Sequence, residues 1–300
     1  MRTHSKALAS IAALALSAVL VTACESSSES TGSTTASEIR KSDAPSADGK
    51  GFYAEIGGGR QYYEIHGTGK PLILLHGGLT DSNSTFGALV PELAKSRKVI
   101  AVDLQAHGHT PDRDRPLRYE TLADDVAALI THLNLGQADL LGYSLGGGVA
   151  LQVAARTPDL VNRLAIVSAP YRSDGWLPET RAGMAAMDPE ALRQTPIFQL
   201  YSSVAPDPGG WTALVTKTRQ LLTEDYDWTA QVAEVQAPAL LLTAESDALS
   251  RKHATDLVSR LSKSGAQLEI LPGTTHYDVM YRADLLLPLL TRFLDTPATR

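Results

Sequence analysis

Apolar and amphipathic stretches alternate along the chain from Phe52 onward. The runs "PLILLHG" (71–77), "KVIAVD" (98–103), "ADLLGYS" (138–144), "RLAIVSA" (163–169), "PALLLTA" (238–244) and "AQLEILP" (266–272) are short, almost wholly apolar and bounded by turn residues. Strands buried on both faces have this pattern. Between them, "TLADDVAALITHL" sets Leu122, Val126, Leu129, Ile130 and Leu133 at helical spacing behind Thr121. "GGVALQVAARTP" and "SRKHATDLVSRLSKSG" repeat that spacing, the last ending on Gly265. Ahead of these, "FYAEI" and "YYEIHG" flank Gly57–Gly59 and read as an antiparallel hairpin. Strand–helix alternation predicts an α/β fold built on a mostly parallel, doubly wound sheet with helices on both faces.

The rhythm breaks between "IVSAP" and "APALLL". Residues 171–237 intervene where a single crossover helix needs far fewer, which predicts an inserted helical lid. It contains the helical stretches "PETRAGMAAM" and "WTALVTKTRQLL" and the large side chains Trp176, Met184, Met187, Phe198, Tyr201, Trp211 and Tyr226. Side chains of this kind at helical spacing form a small core of their own more often than they line a pocket. The core is then 52–170 and 238–300.

The first 51 residues follow neither pattern. "MRTHSK" carries Arg2 and Lys6 ahead of an apolar run from Ala7 to Ala23, as a secretory signal does, and the run is short for a bilayer span. It closes on "VTAC", which resembles the lipobox at which bacterial lipoproteins are cleaved and acylated. That resemblance implies a signal peptide over 1–23, lipid attachment at Cys24, and a protein exported and anchored to the membrane of a bacterial cell envelope. Two or more acyl chains hold a protein firmly where one binds only marginally. The stretch 24–51 is rich in Ser and Thr with almost no large apolar residue, so it cannot offset its ordering entropy and reads as a flexible tether. As a random coil it would reach on the order of 30 Å.

Composition narrows the function. With 43% apolar residues the chain can bury a sizeable core. Its net charge of −6, without a Lys or Arg block, leaves no footprint for nucleic acid. Cys24 is the single cysteine, so no disulfide within the chain holds the fold. Neither "GGGR" nor "GGLT" completes a phosphate-binding loop, and the pair His107 and His109 lacks the companions of a zinc site, since Pro111 and Asp112 stand where Asp and His would be needed. No metal or cofactor is expected.

"GYSLG" (142–146) fits GxSxG, in which a serine sits on a tight strand-to-helix turn with its hydroxyl above the sheet edge. Gly142 and Gly146 lack the Cβ atoms that would keep the flanking backbones apart, and the following helix turns its positive end toward Ser144. An apolar strand before and an Ala/Val-rich helix after supply the context that the motif needs.

At these residues the chain resembles the α/β-hydrolase family, from about Phe52 to Leu294. "LILLHGG" resembles the family's oxyanion loop, "VDLQAHGHT" the loop after the next strand, "GYSLGGG" the elbow, and "LLLTAESD" and "PGTTHYDV" the acid and histidine loops. One departure is Ala106, where the family usually has glycine. The resemblance implies the order serine, acid, histidine, which Ser144, Asp247 and His276 keep, with N–H groups of Gly78 and Leu145 holding the oxyanion. Gly77 or Leu79 could replace Gly78 if the loop turns differently; Asp227 or Asp278 could be the acid, leaving Asp247 to cap a helix near Ser250. His76 is expected to brace its loop.

The function so implied is that of a serine hydrolase cleaving a small or medium carboxylic ester, thioester or lactone through an acyl-enzyme. The same three residues would serve a carbon–carbon bond hydrolase or a cofactor-free perhydrolase, and the scaffold also permits a non-catalytic ligand-binding lipoprotein. Because the base works only when neutral, activity is expected to rise between about pH 6 and 8.

Overall fold

The computed structural model describes residues 43–46 and 50–296. The segment read as a signal, the lipid attachment expected at Cys24 and most of the stretch read as a tether lie outside them. The described chain forms β1 (Ala44–Pro45), β2 (Phe52–Ile56), β3 (Gly59–His66), β4 (Lys70–Leu75), α1 (Ser82–Phe86), α2 (Val90–Leu93), β5 (Arg97–Val102), α3 (Tyr119–His132), β6 (Ala138–Tyr143), α4 (Leu145–Arg156) and β7 (Val161–Val167). Helices α5 (Pro178–Ala185), α6 (Pro189–Leu192), α7 (Pro196–Val204), α8 (Trp211–Thr223) and α9 (Thr229–Val232) follow in the inserted segment. The chain ends with β8 (Ala239–Ser246), α10 (Arg251–Arg260), β9 (Gln267–Thr275) and α11 (Ala283–Asp295).

One sheet carries all these strands in the order β1-β2-β3-β5-β4-β6-β7-β8-β9. From β5 to β9 neighbours run parallel, while β1, β2 and β3 pair antiparallel at one edge. Alternate strand residues divide two cores, as the period-2 geometry of a strand requires. Ile73, Leu75, Ile100, Val102, Leu140, Ile166 and Leu241 join Leu122, Val126 and Leu129 of α3, Val149 and Val153 of α4 and Leu257 of α10. Leu72, Leu74, Val99, Leu141, Val167, Leu240 and Leu242 pack instead with Phe86, Leu93 and the Leu286, Leu290 and Leu294 stripe of α11.

Three boundaries differ from the expectation. The helix read as starting behind Thr121 begins at Tyr119; Arg118 precedes it with no side-chain cap, and the Thr121 hydroxyl donates to the Arg118 carbonyl. The helix read as running to Gly265 ends at Arg260, and Gly265, at φ +61°, belongs to the turn entering β9. Part of the stretch read as tether is seated on the domain: β1 pairs with β2, and the Asp43 carboxylate accepts bonds from the Tyr63 hydroxyl (2.6 Å) and His132 Nε2. Short polar segments carry little hydrophobic signal when a few specific bonds attach them.

Candidate active site

Four loops meet at the carboxyl ends of neighbouring strands. Gly78 follows β4, Ser144 follows β6, Asp247 follows β8 and His276 follows β9. Since β7 lies between β6 and β8, Ser168 just beyond it falls between the serine and the acid.

The turn at Ser144 is strained, with φ +52° and ψ −116°, a conformation that costs an L-residue about 1–3 kcal/mol. Its neighbours hold it there. Ser144 N–H donates to Val167 O (2.8 Å), Gly146 N–H donates to His76 O (3.0 Å), and Ser144 O accepts from the N–H groups of Gly147 and Gly148. The two motif glycines are needed for close approach: a Cβ on Gly142 would lie 2.2 Å from Gly146 O, and one on Gly146 would lie 2.1 Å from Leu75 O.

The three side chains expected to act together are within hydrogen-bond reach. Ser144 Oγ lies 3.2 Å from His276 Nε2, and His276 Nδ1 lies 2.8 Å from Asp247 Oδ1. Asp247 Oδ1 also accepts from Leu249 N–H (3.1 Å), while Oδ2 accepts from Ser168 Oγ–H (2.5 Å) and Ala244 N–H (2.9 Å). Burial by itself would raise the Asp247 pKa. The hydrogen bond and charge of His276, with the bonds from Ser168 and Ala244, outweigh it and hold the carboxyl below the usual carboxylate range. Because the acid accepts at Oδ1, the Nδ1–H tautomer of His276 is favoured and Nε2 is left as an acceptor toward Ser144. The other candidate acids bind elsewhere: Asp227 accepts from Thr229 N–H and Asp278 from Thr275 N–H.

Leu145 opens α4, so its N–H has no acceptor within the helix and faces the helix's N-terminal end. Gly78 adjoins it, since a Cβ there would be 3.7 Å from Leu145 Cδ1. His76 braces this loop as expected, with Nδ1–H donating to Gly77 O (2.7 Å) and Nε2 accepting from Leu104 N–H (3.0 Å).

The loop after β5 contains neither a helix nor a joint use of its two histidines. His109 Nδ1 is 2.9 Å from the buried Asp103 carboxylate, whereas His107 Nδ1–H donates to Gln105 O. No group of three or more metal-ligating side chains gathers among the described residues. Ala106 adopts φ +67°, the left-handed conformation that makes glycine usual at this place, and it belongs to the buried cluster of Leu79, Tyr201, Trp211, Leu214 and Val215. Here an apolar contact with the inserted segment accompanies the strain.

Two neighbours of the site were not read from the sequence. One is Ser168, itself at φ +54°. The other is Tyr143, whose hydroxyl donates to His276 O (2.5 Å) and ties the histidine loop to the elbow. Burial, then the nearby Asp247, raises its pKa, so it stays a neutral donor. The available signal was position: each directly adjoins the end of a strand leading to the site.

The inserted segment covers the site. Met187, Phe198, Tyr201 and Trp211 pack chiefly into their own cluster, and Tyr226 stacks on Trp228. Trp176 meets His276 edge-on at 5.6 Å between ring centroids. Ser144 is 9% and His276 6% exposed, so the reacting atoms are largely shielded from water.

Comparison with known proteins follows the same architecture. A family model described as alpha/beta hydrolase fold matches residues 70–202, a span that includes the Gly78 loop and the Ser144 elbow. A crystal structure of E-2-(acetamidomethylene)succinate hydrolase superposes with a TM-score of 0.68, covering 82% of this chain and 98% of that one at 24% identity. The chain has the α/β-hydrolase fold. The enol-lactonase of Burkholderia xenovorans shares this fold with a TM-score of 0.66 and 22% identity, over 81% of this chain and 99% of its own. Among sequence relatives, a 2-(acetamidomethylene)succinate hydrolase from Mesorhizobium japonicum is 28% identical over 246 residues, 75% of this chain and 88% of the relative. These matches agree on the α/β-hydrolase fold.

Proposed function

We propose that this protein is a serine hydrolase that cleaves a small or medium carboxylic ester, thioester or lactone through an acyl-enzyme. The observation that carries the reading is the continuous relay Ser144 Oγ–His276 Nε2–Asp247 Oδ1, at 3.2 and 2.8 Å. Ser144 Oγ attacks the carbonyl carbon as its proton passes to His276 Nε2, and the Asp247 carboxylate stabilises the imidazolium that forms. The carbonyl oxygen becomes an oxyanion held by the N–H groups of Gly78 and Leu145, each such donor contributing about 3 kcal/mol. Collapse breaks the bond to the leaving alcohol or thiol, which takes the proton from Nε2. Water then attacks the acyl-enzyme, gives a proton to Nε2 and releases the acid as Ser144 regains its hydrogen. The name of the hydrolase relative supports bond cleavage by water, and the acyl-enzyme chemistry rests on the relay.

The test is a panel of p-nitrophenyl esters of graded chain length with wild type and Ser144→Ala. Turnover in wild type that falls to background in the variant supports the reading. Ligand retention without turnover in either protein refutes it.

The proposal extends to location: cleavage before Cys24 and its acylation would hold the domain at a membrane surface on a tether. Incorporation of labelled palmitate that is lost in Cys24→Ser is the expected result, and equal incorporation in both proteins would contradict it. Among the described residues no helix is long and apolar enough to cross a membrane.

A further inference from the structure

Helix α8 crosses the loop that supplies Gly78. A Cβ on Gly78 would sit 3.2 Å from Thr218 Cγ2 and 3.7 Å from Leu222 Cδ1, so both side chains lie against the proposed oxyanion donor. Thr218 is fully buried, and its hydroxyl has no hydrogen-bond partner among the described residues. Helical threonines usually have a local remedy in the carbonyl four residues back. Thr223, in the same helix, uses it, donating to Arg219 O at 2.8 Å. Thr218 does not. A valine would fill nearly the same space without leaving a buried polar atom unsatisfied, so the hydroxyl lacks a structural explanation within the chain.

The geometry of the reaction indicates which part of a substrate would meet it. A tetrahedral carbon on Ser144 bears the oxyanion, the leaving group and the acyl chain. The leaving oxygen must take its proton from His276 Nε2, and His276 is covered by Trp176 from the start of the inserted segment. The oxyanion points to Gly78 and Leu145. Thr218 and Leu222 arrive from the other arm of that segment, at Gly78, and with the leaving group assigned to His276 and the oxyanion to the N–H groups, the acyl chain is the substituent left to meet them.

We propose that Thr218 is a specificity-determining residue whose hydroxyl hydrogen-bonds a polar atom of the acyl chain, selecting ether- or amide-bearing acyl groups over alkyl ones of the same shape. The assignment rests on the serine-hydrolase reading. It is tested with two matched pairs of p-nitrophenyl esters, methoxyacetate against butanoate and N-acetylglycinate against 4-methylpentanoate. The readout is the polar-to-apolar ratio of kcat/KM in each variant divided by that of wild type, which cancels the intrinsic reactivity of the esters.

Thr218→Val is expected to lower this ratio about tenfold for at least one pair, and Thr218→Ser to keep it within about twofold. A ratio unmoved in Thr218→Val, or lowered equally in both variants, overturns the inference while Ser144-dependent turnover leaves the hydrolase reading intact. Cleavage of none of the four esters, or cleavage that survives Ser144→Ala, overturns both.

Discussion

Replacing Asp247 by asparagine removes a charge and adds two hydrogens where the protein offers only donors or a rotatable hydroxyl. Oδ1 accepts from His276 Nδ1–H and Leu249 N–H, and Oδ2 from Ser168 Oγ–H and Ala244 N–H. An amide NH₂ in the Oδ2 place confronts Ala244 N–H, although the Ser168 hydroxyl can rotate to accept. In the Oδ1 place it confronts Leu249 N–H and favours the His276 tautomer with hydrogen on Nε2, which cannot take a proton from Ser144. Either orientation leaves a buried backbone N–H without its acceptor, a loss of about 1–3 kcal/mol. In a domain of this size that corresponds to an unfolding temperature lower by roughly 2–12 °C. Loss of imidazolium stabilisation and of the correct tautomer together should reduce kcat about 10⁴-fold. Ester turnover and thermal unfolding of the same preparation test both halves. Retention of more than a tenth of wild-type kcat, with the variant folded, would refute the role assigned to Asp247.

Two further outcomes follow from the surroundings of the site. Ser168→Ala should lower stability by about 1.5–3 kcal/mol, since it removes a bond to a charged carboxylate, and lower kcat no more than about tenfold because three donors still hold Asp247; thermal unfolding and steady-state kinetics check this, and a loss as deep as that of Ser144→Ala would place Ser168 in the chemistry itself. Acid should destabilise the fold from about pH 6.5 downward, because burial lowers the pKa of His107 to about 3 and of His253 to about 4. Both histidines are neutral in the folded chain, so the unfolded chain binds more protons below its own value near 6.5, and each contributes up to about 1.4 kcal/mol per pH unit. Their stabilisation is complete above that pH and is lost as pH falls toward the folded values. Urea unfolding between pH 5 and 7 should show this slope, reduced in His107→Gln; an unchanged slope in that variant would contradict it.

The fold was legible because its strands are buried on both faces. Runs such as Leu72–Leu75 and Leu240–Leu242 feed two cores at once, which leaves continuous apolar stretches with turn residues at their ends. Ser144 was legible because the elbow needs glycines at 142 and 146, and those leave a pattern in the sequence. Asp247 and His276 were found by strand-end position and by resemblance, since an isolated Asp or His has no local signature. Ser168, Tyr143 and Thr218 escaped for that reason: each acts through one hydroxyl, and which hydroxyl lies near the site depends on strand order and on how α8 crosses the Gly78 loop. The attachment of Asp43 left no trace in the sequence because it is held by polar bonds and not by apolar burial.

The central claim is an activated hydroxyl at position 144, and the most direct measurement is mass spectrometry of the protein after reaction with a fluorophosphonate. One adduct, on the peptide containing Ser144 and absent from His276→Ala and from heat-denatured protein, is the result expected of a serine made nucleophilic by its folded neighbours. No adduct on the native chain, or an adduct on another residue with Ser144 unmodified, would contradict it.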